Sequence, residues 1–197
     1  MGAAALMLLG VAQVVACGTS NDGGGKAVSV DSSSPTSSPR TTITSPALQP
    51  PRQKNENRPD VVYDPCTYLD DSKISEIGAD PKTRRRSDFV AEYTFLDCKY
   101  DGTDWTLTIS SSNITMAEER ARYAASIQEV KVNGRSSIVV HQPEDGRDSC
   151  ALTMPTKEGD LRIKTFLTTD ALVRNVNPCD DLMRIAQIVE PTIGKGK

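Results

Sequence analysis

Apolar patterning in this chain of 197 residues is confined to two places, and that confinement limits what can fold. One is a short run over residues 2–12. The other begins near Val61 and continues to about Ile193. Between them Gly, Ser, Thr, Pro and Asn dominate, as in Gly23-Gly24-Gly25, Ser32-Ser33-Ser34-Pro35 and Thr41-Thr42-Ile43-Thr44-Ser45-Pro46. A segment with no apolar periodicity cannot offset its ordering entropy by burial, so residues 17–59 are expected to be a disordered tether. As a flexible coil of some 40 residues it would reach roughly 35 Å. Its Ser/Thr/Pro mixture also suits an O-glycosylated stalk.

The run Gly-Ala-Ala-Ala-Leu-Met-Leu-Leu-Gly-Val-Ala has the length of a signal-peptide apolar region. It falls well short of the roughly 20 residues that a spanning helix needs. It closes on Val14-Val15-Ala16-Cys17-Gly18, a pattern that resembles a bacterial lipobox. On that resemblance residues 1–16 are a signal peptide and Cys17 takes a diacylglyceryl group at the mature N-terminus. The expected localisation is the cell membrane, with the domain lipid-anchored on the extracytoplasmic face and the membrane itself a partner through the anchor. No Lys or Arg precedes the apolar run, which points to a start upstream of Met1. N-myristoylation is rejected because residue 6 is Leu where Ser or Thr is required.

Residues 60–193 are expected to form one domain. Leu69, Ile74 and Ile77 make a helical stripe that Gly78 stops. Phe89–Tyr100 reads as a strand, followed by the turn signal Asp101-Gly102 and a partner strand at Trp105–Ile109. Thr115 and Glu118 have capping-box spacing for a helix over Met116–Ile127. Asn133-Gly134 between Val130–Val132 and Ser137–Val140 is the clearest hairpin signal. Strands near Ala151–Met154 and Leu161–Leu167 follow, and a last helix presents Leu182, Ile185, Ala186 and Val189 on one face. Runs of paired strands between helices predict an α+β fold, an antiparallel sheet with helices on one face.

With Cys17 assigned to lipid, Cys66, Cys98, Cys150 and Cys179 remain. Four cysteines in an exported domain predict two disulfides, with three pairings open. Cys66–Cys98 and Cys150–Cys179 are favoured because each would tie a helix start to an adjacent strand. A zinc site is disfavoured: such sites use Cys pairs about two to four residues apart, and here the nearest two are 29 apart.

The combination of Cys17, the Ser/Thr/Pro stretch, Asp64-Pro65-Cys66-Thr67-x-Leu69, Ile77-Gly78, Cys98-Lys99-Tyr100, Cys150 and Asn177-Pro178-Cys179-Asp180-x-Leu182 resembles a family of small actinobacterial envelope lipoproteins known only as a domain of unknown function. That resemblance implies an exported, tethered domain with two disulfides. It implies no activity.

Motifs for chemistry are sparse. His141 is the single histidine, and no nucleophile elbow, P-loop or dinucleotide fingerprint is present. His141 is expected on the surface at a strand end, Arg84-Arg85-Arg86 in a solvated loop, and the acidic pairs Asp70-Asp71, Glu118-Glu119 and Asp180-Asp181 at helix starts, where they complement the helix dipole. Asn113-Ile114-Thr115 fits a glycosylation acceptor, although Thr115 already has the capping role. Residues 17–59 carry five basic and three acidic side chains, leaving 18 basic against 23 acidic in the rest. A mildly acidic domain argues against nucleic acid as a partner. No cofactor, metal or enzymatic activity is expected. The expected function is a binding or interaction module of the cell envelope, with a protein, lipid or glycan as ligand. An accessory lipoprotein of an envelope complex and a hydrolase with an unrecognised site are the alternatives.

Overall fold

A computed structural model describes residues 43–141 and 148–194. The expected signal peptide, the lipidated Cys17 and most of the tether lie outside the described residues.

Two short helices open the domain. In α1 (Pro65–Tyr68) the Asp64 carboxylate accepts from Cys66 N, and Pro65 occupies a first-turn position where its missing N–H costs nothing. In α2 (Asp71–Glu76) Asp70 caps Lys73 N, and Gly78 at φ +87° closes the segment in the left-handed region. Eight strands follow: β1 (Ala79–Arg86), β2 (Phe89–Val90), β3 (Thr94–Gly102), β4 (Trp105–Ser112), then, after α3 (Met116–Arg122), β5 (Ile127–Val132), β6 (Arg135–His141), β7 (Ser149–Pro155) and β8 (Asp160–Leu167). Helices α4 (Thr169–Val173) and α5 (Leu182–Val189) complete the order.

All strand pairs are antiparallel in one eight-stranded sheet of order β1-β3-β4-β8-β7-β6-β5, with β2 beside β3. Two meanders, β1 to β4 and β5 to β8, join where β4 meets β8. The fold is α+β, as the alternation of elements predicts. Strands β3 and β4 alternate buried and half-exposed residues, the period of two that puts one face on a core. The capping box forms as its spacing predicts, Thr115 Oγ1 accepting from Glu118 N and Glu118 accepting from Thr115 N. Asn133 (φ 49°) and Gly134 (φ 91°) make the two-residue turn between β5 and β6, a conformation that needs positive φ at both centres.

The core lies on one face. Leu107, Ile109, Ile163, Leu152 and Cys150 point into it from the sheet, and Leu69, Ile74, Ile77, Leu182, Ile185, Ala186 and Val189 meet them from α1, α2 and α5 and the residues bounding them. Cys66 is bonded to Cys98 and Cys150 to Cys179, with Cα separations of 5.1 and 5.2 Å. These are the favoured pairings, each tying a helical segment to a strand.

Four local expectations are corrected, the first being the helix expected over Met116–Ile127, which ends at Arg122 so that Ile127 opens β5. Arg84-Arg85-Arg86 is part of β1 rather than a solvated loop. On this edge strand the alternation is carried by charge: Arg84 bonds the Cys66 and Leu69 carbonyls and Asp71, while Arg86 makes a fork to Asp64 and reaches Asp88 and the Leu48 carbonyl. The side chains of Arg84 and Arg86 are only 6% and 7% exposed. The single strand expected over Phe89–Tyr100 is broken by a bend at 91–93 into β2 and β3. Finally, residues 43–59, expected as tether, are held against the domain. Gln53 exchanges two 2.8 Å hydrogen bonds with the Val61 backbone, Asn55 accepts from Thr94 Oγ1, and Arg58 pairs with Glu118 at 2.6 Å. These are polar contacts, and apolar periodicity cannot announce them.

Candidate functional site

Antiparallel pairing places directly opposed residues on one side of the sheet, so the register identifies what faces away from the core. Four rows cross β3, β4 and β8 on that open face. They read Asp101–Thr106–Phe166, Lys99–Thr108–Lys164, Asp97–Ser110–Arg162 and Phe95–Ser112–Asp160. The second row extends to Arg85 on β1 and to Ala151 on β7. Short polar side chains from β4 form the floor, and longer ones from β3 and β8 rise on either side. A groove results, with a cavity of about 770 Å³ toward α4 and one of about 310 Å³ toward α3. The two share Lys99, Thr108 and Phe166.

Charge is arranged by row. At the α3 end, Arg162 pairs with Glu119, whose side chain is 2% exposed. Asp97 accepts the Ser110 hydroxyl, and burial pushes its carboxyl above the usual range. Asp160 accepts the Ser112 hydroxyl at 2.6 Å, and burial pushes it up to about 7. At the other end, Arg85 is forked onto Asp101. Lys164 is only 7% exposed, with its ammonium 4.3 Å from the centre of the Phe166 ring. The Lys99 side chain is half-exposed, and its charge acts on neighbouring Asp97. Phe166, Leu167 and Leu172 give the larger cavity an apolar flank.

The sequence-derived candidates fall elsewhere. Both disulfides belong to the core face. His141 ends β6 in an exposed position with Nδ1 3.2 Å from Cys179 Sγ. His141, Cys150 and Cys179 lie close enough together to suggest metal ligation, but both sulfurs are consumed by the disulfide. Of the acidic pairs, Glu118 is held well below the ordinary range, at about 2, by Arg58 and its capping bonds. Glu119 turns into the groove. Sequence reasoning missed the groove because its members come from strands brought side by side by a long crossover. The available signal was the polar half of each alternating strand. Among the described residues no helix is long and apolar enough to cross a membrane.

The chain belongs to the family described as "Protein of unknown function (DUF3558)", whose match spans residues 12–192. No curated protein and no solved structure matches it.

Proposed function

We propose that this member of the family is an extracytoplasmic lipoprotein, anchored through Cys17, whose domain is a binding module that takes its ligand on the open face of the sheet. The observation that carries this reading is the groove itself, a concave site with an apolar flank and a few convergent polar groups. Binding is preferred to turnover because the groove's acids are already engaged. Asp97 holds Ser110, Asp160 holds Ser112 and Glu119 holds Arg162. A lipid anchor and a tether would keep such a module at high effective concentration near the envelope. The two disulfides stiffen the face opposite the groove and lower the ordering cost of binding.

Mass spectrometry of the native protein extracted from membranes in mild detergent tests both halves of this function. The expected result is a diacylated Cys17 at the mature N-terminus together with a co-purifying small molecule. That molecule should be absent from a Thr108→Trp variant, in which the groove floor is filled. An unmodified, water-soluble N-terminus removes the anchor. Equal ligand content in both proteins removes the groove as the binding site.

A further inference from the structure

We infer that His141, Cys150 and Cys179 form a redox-gated metal site: with the Cys150–Cys179 disulfide reduced, the imidazole and two thiolates bind one thiophilic divalent cation of the zinc type. Both sulfurs lie on the core side of the sheet, so the site stands independently of the groove and of any ligand taken there.

The first ground is that the three side chains are held together by more than the disulfide. His141 on β6, Cys150 on β7 and Thr165 on β8 are directly opposed in one row, which puts their side chains on one side of the sheet. Thr165 Oγ1 donates to the Pro178 carbonyl at 2.7 Å and lies 3.3 Å from the Cys150 carbonyl. Asn177 Oδ1 accepts from Cys179 N at 3.0 Å and shapes the turn that presents this cysteine. None of these ties passes through a sulfur. Strand pairing and the Thr165 bridge therefore keep the three groups adjacent after reduction.

The second ground is ligand geometry. His141 Nδ1 lies 3.2 Å from Cys179 Sγ, and the three ligand atoms all fall within 4.8 Å of one another. Tetrahedral zinc, with bonds of about 2.3 Å to sulfur and about 2.0 Å to nitrogen, spaces such atoms roughly 3.5–3.8 Å apart. Releasing the covalent bond lets the two sulfurs part to that distance. Two thiolates and an imidazole are a soft set suited to zinc, and three protein ligands leave a fourth position for water. Cys66 and Cys98, by contrast, are both fully buried and belong to no cluster of three metal-ligating side chains among the described residues.

Access sets the order of events. Cys179 is half-buried beside the exposed His141, whereas Cys150 is fully buried. A thiolate of a dithiol reductant reaches Cys179 Sγ and bonds to it; the Cys150–Cys179 bond breaks with its electron pair on Cys150 Sγ. The reductant's second thiol then attacks the mixed disulfide, Cys179 leaves as the thiolate, and the reductant departs as its own disulfide. The two protons of the reductant pass to Cys150 and Cys179. Binding of the cation releases them again, because the thiolate is the metal ligand.

Titration of the full chain carrying Cys17→Ser with Co2+ and Zn2+ tests the site, since that variant has no cysteine outside the two disulfides. Mild treatment with a phosphine reduces the accessible pair, and alkylation of the folded protein followed by peptide mapping should find Cys150 and Cys179 free with Cys66 and Cys98 still joined. The reduced protein should bind Co2+ at one per chain, with a thiolate charge-transfer band and the visible bands of tetrahedral Co2+, and Zn2+ should displace it. The oxidised protein should show neither band. His141→Ala, at an exposed position where folding is not at stake, should weaken Co2+ at least tenfold. Zn2+ should raise the urea midpoint of the reduced protein, because a cation held by the folded state stabilises it, and leave the oxidised protein unchanged. Release of Cys66 and Cys98 first, a reduced chain without the thiolate band, an unshifted urea midpoint, or equal Co2+ affinity in His141→Ala overturns the proposal.

Discussion

Asp160 offers a test of the groove's electrostatics that needs no ligand. It is 3% exposed at the start of β8, and its carboxyl accepts from Ser112 Oγ at 2.6 Å. Burial, reinforced by the nearby Glu119 charge, raises it from 3.8 to about 7, and at about 1.4 kcal/mol per pH unit that gap corresponds to roughly 4 kcal/mol. Between those two values the folded chain keeps a proton that the unfolded chain has released, so stability falls as pH rises through the window and levels off above it. Asp160→Asn keeps an acceptor for Ser112 and cannot ionise. Other carboxylates pull the opposite way: Asp70, Asp101 and Glu118 are lowered by hydrogen bonds and contribute stability that is lost in acid. Because both proteins share them, the difference between the two isolates Asp160. Urea unfolding of wild type and Asp160→Asn at pH 4 and pH 8 should show the advantage of the variant growing by about 2–4 kcal/mol at the higher pH. A difference that stays constant across the two pH values would refute a buried, reluctantly ionised Asp160.

Two further perturbations address the scaffold. Peptide mapping without reduction should link Cys66 to Cys98 and Cys150 to Cys179, and replacing either pair with alanine should cost about 2–5 kcal/mol in urea unfolding; a peptide joining Cys66 to Cys150 would contradict the fold. Asp64→Ala strands the Arg86 guanidinium, which makes hydrogen bonds of 2.9–3.0 Å to it in a site 1% exposed, and should cost about 3–5 kcal/mol; a loss below about 1 kcal/mol would mean that water or Asp88 takes over the charge.

Much of the fold was legible because its determinants are local. The alternation in β3 and β4, the Asn133-Gly134 turn, the Thr115–Glu118 capping box and the apolar stripe of α5 each lie within a window of a few residues. Strand β1 was not legible. Its sequence, Ala-Asp-Pro-Lys-Thr-Arg-Arg-Arg, contains nothing that marks a strand, and its inward positions are filled by Arg84 and Arg86, which become buried only because Asp71, Asp64 and backbone carbonyls receive them. Residues 43–59 escaped for a similar reason, since apart from Leu48 packing against the core they are held by the hydrogen bonds of Gln53, Asn55 and Arg58.

The groove was invisible for a different reason, which also bears on why it exists. Lys99, Thr108 and Lys164 look like ordinary outward residues of three strands until β4 is known to lie beside β8, more than 40 residues later in the chain. The chain leaves β4, runs through α3 to the far edge of the sheet at β5, and returns strand by strand to β8. Both disulfides join helical segments to strands on the core side, Cys66 of α1 to β3 near one edge and Cys179, just before α5, to β7 nearer the other. With apolar burial and both covalent ties concentrated on one face, β3, β4 and β8 can carry charged and hydroxyl side chains on the other without loss of core. Most of those charges are then matched at close range, as in Arg162–Glu119 and Arg85–Asp101. A face that only had to be soluble could leave its lysines fully exposed. Here Lys164 is drawn down beside Phe166 until it is almost covered, in register with Lys99, so the groove floor is packed as part of the sheet rather than left as a merely solvated surface.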